Sequence, residues 1–153
     1  MNKKTQKTVT EHDFSKKNKV SVWASQYPYE EIPDEYFEET FSNKGLRAKN
    51  AWSNNYKLKF FLPENMETNG TAEGMILIKE AAGECSFSNS YMDVLMSKAR
   101  KAKLEEVTWI ILLFDYEFSA RLAGVDRDEY TQYLGAFNYD PEAESLYEID
   151  EDE

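Results

Sequence analysis

Glu105–Phe118 reads EEVTWIILLFDYEF. From Val107 to Phe114 the side chains are apolar on both alternating faces, with Thr108 as the one polar member. Val107, Trp109, Ile111 and Leu113 form the odd face, and Ile110, Leu112 and Phe114 the even face. A strand with one wet face alternates apolar and polar residues, so one apolar on both faces must be covered on both. The stretch is predicted as the central strand of a sheet with a layer on each side. Asp115 and Glu117 continue the odd face where the strand ends. A strand emerging into water accounts for them, and their shared face also makes them candidate partner contacts.

The neighbouring segments fit around this strand. KVSVWAS (19–25) places Val20, Val22 and Ala24 on one face and Ser21 and Trp23 on the other, the period-two pattern of a first strand ended by Pro28. QYLGAFNY (132–139) is a last strand, and YKLKFFL (56–62), ended by Pro63, a second. GMILIKEA (74–81) fits a strand or a buried helical turn equally well. In SFSNSYMDVLMSKARKAKL (86–104), Met92, Leu95, Met96, Ala99 and Ala102 make a helical stripe. Ser88 or Asn89 is the candidate cap, and the bases of the last turns suit the dipole. A second helix is predicted from Pro33 to about Phe41, with Ile32, Tyr36, Phe37 and Phe41 on its apolar side. The expected fold is α+β: a mostly antiparallel sheet of four to five strands with two principal helices. Their cover is too small for both sheet faces, so a loop layer or a homodimer contact is needed to complete it.

Charge divides the chain. Its net charge is −11, but residues 1–19 carry six Lys against Glu11 and Asp13, a net +4, which leaves −15 for the remainder. Residues 1–18 are read as a flexible basic arm, 19–140 as a single domain and 141–153 as an acidic C-terminal tail. A body this acidic repels phosphate backbones and anionic lipid, which argues against nucleic acid and membrane as partners. It attracts basic proteins and speeds their association. The lysine-rich N-terminus is followed by no apolar segment, so a secretory leader is not expected. With one cysteine, Cys85, no intrachain disulfide can form, and a cytoplasmic location is expected.

The sequence offers little to a catalytic reading. His12, the single histidine, lies in the arm, where nothing orients it. Cys85 follows Glu84, which raises rather than lowers a thiol pKa. There is no Cys/His cluster for zinc, and DRDEY (126–130) lacks the glycine and glutamate spacing of a calcium loop. No phosphate-binding glycine motif occurs, so no cofactor is expected. The unusual stretch is Tyr29–Glu39, with Glu30, Glu31, Asp34, Glu35, Glu38 and Glu39 and no base. These carboxylates repel one another, and only Asp34 and Glu35 gain from a helix N-terminus. Together with Tyr36 among them, and with Asp115 and Glu117, they are the candidate partner-binding residues.

Four motifs in order, VSVWAS (20–25), SFSNSYMDVL (86–95), IILLFDYEF (110–118) and YLGAFNYD (133–140), are similar to the immunity protein 22 family of bacterial polymorphic-toxin systems. The likeness spans about residues 19–140. It implies an α+β fold and a non-catalytic protein that binds and neutralises a cognate toxin, and it brings no contact residues with it. Residues matching the family, such as Trp23, Tyr91, Phe114 and Phe137, are of the kind that build a fold. Charge adds the expectation that the toxin is basic, as nuclease-type toxins are around their active sites. The alternative reading is an acidic nucleic-acid mimic or adaptor that binds several basic proteins.

Overall fold

The computed structural model describes residues 14–36, 40–41, 48–58 and 61–146. Its strands are β1 (Ser15–Ser25), β2 (Thr40–Phe41), β3 (Ala48–Lys49), β4 (Met66–Gly70), β5 (Ile76–Leu77), β6 (Glu106–Val107), β7 (Trp109–Tyr116) and β8 (Gln132–Asn138). Its α-helices are α1 (Ala51–Asn55), α2 (Ile78–Gly83), α3 (Met92–Ala102) and α4 (Ala120–Ala123). The main sheet has the order β4-β7-β1-β8, and all its pairings are antiparallel. β2-β3 and β5-β6 form two small ribbons. The fold is α+β.

β7 is the predicted central strand, covered on both faces. Its even side, Ile110, Leu112 and Phe114, joins Val20, Val22 and Ala24 of β1 against Ile78, Ala81 and Ala82 of α2 and Leu95 and Ala99 of α3. Its odd side meets an aromatic layer built from Trp23, Trp52, Tyr56, Phe61 and Phe118, with Phe14 at its margin. Helices therefore cover one face and mostly non-helical chain the other, so the second cover comes from a loop layer of the same chain. Trp23 is the hub of that layer, 5.0 Å from Trp52, 5.6 Å from Tyr56, 5.5 Å from Phe118 and 5.3 Å from Tyr133 between ring centroids. α1 places Trp52 there by a capping box, in which Ser53 N donates to Asn50 Oδ1 at 2.8 Å and Asn50 N to Ser53 Oγ at 2.9 Å.

Several expectations change. Among the described residues the predicted helix from Pro33 to Phe41 is not seen: Asp34–Tyr36 is a 3₁₀ turn and Thr40–Phe41 is extended, while residues 37–39 lie outside the described set. An earlier 3₁₀ turn, Tyr29–Glu31, cannot run on through Pro33, because the residue before a proline is pushed out of helical space; Ile32 has φ −80° and ψ 125°. Like charges at i and i+4 (Glu31/Glu35, Asp34/Glu38, Glu35/Glu39) also work against a longer helix. The strand expected over 56–62 is not among the strands of the described residues. Tyr56, Leu58 and Phe61 are fully buried, Lys57 turns through φ 62°, and residues 59–60 lie outside the described set. The ambiguous 74–81 segment is both alternatives in turn, β5 and then α2.

α3 carries the expected stripe, but Ser88 does not cap it. Its buried hydroxyl donates to Gly83 O at 2.8 Å and accepts from Leu146 N at 2.7 Å, tying α2 to the chain beyond 140. The ordered fold thus passes residue 140, and at the other end β1 begins at Ser15, ahead of Lys19. Phe14 explains the latter, since it packs edge-on against Phe118 at 5.1 Å and Tyr116 at 6.1 Å.

Candidate functional site

Antiparallel pairing brings the connections after β1, after β4, before β7 and before β8 to one end of the sheet. β1 ends at Ser25 beside Trp109, the first residue of β7, and Ala24 pairs with Gln132, the first of β8. Segments 26–36 and 124–131 therefore lie side by side. Tyr27 and Tyr36 both meet the Tyr130 ring edge-on, at 4.8 and 5.0 Å. The Tyr27 backbone is held by Thr108 Oγ1, which donates to Tyr27 O at 2.6 Å, and by its own N–H to Ser25 Oγ at 3.0 Å.

Asp128 locks the two segments together. Its Oδ2 accepts from the Tyr36 hydroxyl and from Asn55 Nδ2 at 3.0 Å. Its Oδ1 accepts from Tyr130 N and Thr131 N, each at 2.9 Å, and from Thr131 Oγ1 at 3.1 Å. Tyr56 completes the network, its hydroxyl donating to Thr131 O at 3.0 Å. Burial and the adjoining Asp128 carboxylate push the Tyr36 phenol well above its usual pKa. Tyr36 is thus a buried anchor of this end rather than a surface contact.

Between the Tyr27 and Tyr36 anchors the chain bulges outward. Glu30, Glu31 and Asp34 are exposed and make no ion pair among the described residues, and Tyr29 is 49% exposed. Asp126 and Glu129 add exposed carboxylates across a cleft of about 370 Å³ lined by Tyr27, Tyr130 and Thr131. Arg127 at the same place is spoken for by Asp126 at 3.3 Å. The Glu35 side chain and residues Glu38 and Glu39 lie outside the described set.

Asp115 and Glu117 lie at the opposite end. Asp115 lies six residues along β7 from Trp109, about 20 Å at a strand's rise. Asp115, at φ 61°, faces Asn18, at φ 65°, across an irregularity in the β1–β7 pairing. Its Oδ1 accepts from Asn18 N at 2.9 Å and from the Tyr139 hydroxyl at 2.7 Å. Glu117 pairs with Lys19 at 3.3 Å. The predicted site residues therefore do not form one surface. Glu129 and Tyr130 are not legible as neighbours of this segment in the sequence, where DRDEY suggests only a cation loop; the long-range antiparallel pairing of β1 with β8 sets the turn before β8 beside the turn after β1.

Cys85 is buried, and its thiol is pushed up to about 12 by burial, then by Glu67 and Glu84. At pH 8 its thiolate fraction is about 10³-fold below that of an ordinary thiol. Alkylation with iodoacetamide is expected to be slower by a similar factor in the folded protein than in urea. The same shift has a stability consequence of fixed sign. Above the usual thiol range the unfolded chain loses this proton while the folded chain keeps it, so the contribution is full below about pH 9 and declines as pH rises toward about 12. Comparing urea unfolding at pH 8 and 10.5 for the wild type and Cys85→Ala checks this; the wild type should lose more.

Fold and surface together define the class, a small α+β protein with an acidic, tyrosine-lined end. Residues 20–140 match the family model of immunity protein 22, and the chain belongs to that family. It is accordingly an immunity protein, whose partner is a cognate toxin. No curated protein and no solved structure matches it. Among the described residues no helix is long and apolar enough to cross a membrane.

Proposed function

We propose that this immunity protein neutralises a basic, nuclease-type toxin domain by covering it with the acidic end of the sheet. The observation that carries the reading is the exposed trio Glu30, Glu31 and Asp34, unpaired among the described residues, on a segment pinned at both ends by Tyr27 and Tyr36. Carboxylates held close together without counter-charges repel one another, and a basic surface relieves that repulsion on binding. Pinning keeps the ordering cost of binding low, because the surface is already shaped. Glu35, Glu38 and Glu39 follow in the chain and add to the charge. Asp115 and Glu117 are given no part in the contact, since one braces the β1–β7 irregularity and the other pairs with Lys19. The protein contributes no chemistry of its own to neutralisation.

Capture from a lysate of the source cells tests this. The immobilised protein is expected to retain one basic polypeptide in equimolar amount through a salt wash and in the presence of added DNA or RNA. A broad set of basic proteins, lost with salt or displaced by nucleic acid, would instead identify a mimic or adaptor.

A further inference from the structure

Among the described residues of the acidic end, one pocket joins aromatic walls to carboxylates. A cleft of about 210 Å³ lies between Tyr29, Glu30, Ile32, Pro33, Asp34 and Trp109. Its two rings meet at 5.8 Å with their planes tilted by 57°. Trp109 is held firmly as the floor. It starts the central strand, pairs with Ser25 on one side and Gly70 on the other, and is only 6% exposed. Gly70 is required for that seating, because a Cβ there would collide with the Thr108 carbonyl oxygen and stand 2.9 Å from the Trp109 ring. On the far side of Tyr29 a second cleft, lined by Thr68–Ala72, carries no charged residue.

We propose that the Tyr29–Trp109 cleft holds one arginine side chain of the partner; this rests on the reading of the acidic end as the toxin-binding surface. The half-exposed Tyr29 ring offers its face to a cation, and the exposed Glu30 and Asp34 supply carboxylates for charge-assisted hydrogen bonds. Ile32, Pro33 and Trp109 give the aliphatic stem an apolar bed. Arginine fits better than lysine, because a planar guanidinium stacks on a ring and forks onto a carboxylate at once, whereas an ammonium is a compact, strongly hydrated point charge. An exposed tyrosine beside a buried tryptophan, ringed by charge, also has the anatomy of a binding hot spot.

The test titrates N-acetyl-arginine-amide into the full ¹⁵N-labelled chain, with the lysine and citrulline analogues as comparisons. Arginine is expected to shift the Trp109 indole N–H and the Tyr29 and Gly70 amides saturably, with a Kd on the order of millimolar. Lysine should bind at least about threefold more weakly, and citrulline, which keeps the shape without the charge, not at all. Tyr29→Ala and the pair Glu30→Gln with Asp34→Asn should each abolish saturation; all three positions are exposed, so folding is spared. Equal shifts from arginine and citrulline, or an unchanged Kd in Tyr29→Ala, would overturn the assignment. A silent pocket in a protein that still captures one basic toxin removes this inference and leaves the function standing. An arginine-binding pocket in a protein that captures no basic toxin would overturn the toxin reading and with it the assignment of the arginine to that partner.

Discussion

Trp23→Ala is expected to lower the unfolding free energy by about 3–5 kcal/mol, the range for emptying a large aromatic site in a core. Trp23 is fully buried, and four aromatic rings lie within 5.6 Å of it, two of them edge-on. These come from separate parts of the chain, α1, the segment after it, the segment after β7, and β8. No single neighbour can move in to fill the void without leaving another. A domain of this size loses roughly 2–4 °C of Tm per kcal/mol, so a fall of about 10 °C is expected by thermal unfolding. Trp23→Phe should cost much less. It keeps a ring at the hub, and it removes an indole N–H that has no acceptor among the described residues, a buried donor that otherwise lowers stability. A Trp23→Ala protein with near-wild-type Tm would show that the aromatic layer is not a core.

Asp128→Ala is expected to cost about 2–3 kcal/mol and to loosen the acidic end specifically. The substitution strips acceptors from five donors at once: the Tyr36 and Thr131 hydroxyls, the Asn55 amide and two backbone N–H groups. Hydrogen bonds to a charged group are each worth more than neutral ones, and Tyr36 and Thr131 are buried, so water replaces the lost acceptor poorly. Asp128→Asn should recover part of the loss, since Oδ1 can be kept while the amide NH₂ then faces two donors. A second readout separates local from global effects. Amide hydrogen exchange at Tyr130 and Thr131, whose N–H groups lose their acceptor, should speed up in the alanine variant more than exchange in the centre of β7. A uniform increase across the sheet, or none at these two amides, would mean that Asp128 does not secure this end specifically.

What could be read in advance follows from how local each signal is. β7, β1 and β8 announce themselves because burial on two faces, or on one, writes its period directly into eight or so residues. The α3 stripe does the same at helical spacing. β4 was invisible, since METNG alternates nothing and is held by pairing with β7 and by Gly70, whose approach to Trp109 is a long-range fact. The start of the 33–41 segment misled because Ile32, Tyr36, Phe37 and Phe41 are spaced like a helical stripe; Pro33 keeps Ile32 extended, and Tyr36 is held by Asp128, which lies 92 residues away. The candidate site was half legible for the same reason. Glu30, Glu31 and Asp34 stand out by composition, but the separation of Asp115 and Glu117 from them, and the arrival of Asp126–Tyr130 beside them, depend on strand register.

The most direct measurement is the association rate constant of the captured toxin as a function of ionic strength, for the wild type and for Glu30→Lys/Glu31→Lys/Asp34→Lys. All three positions are exposed, so Tm should stay within about 2 °C, as for surface substitutions generally. Steered association predicts a wild-type rate that falls steeply with salt, and a variant slower by at least about tenfold at low salt that converges on the wild type at high salt. A variant that associates as fast as the wild type at every ionic strength would contradict the claim that this end of the sheet meets the toxin.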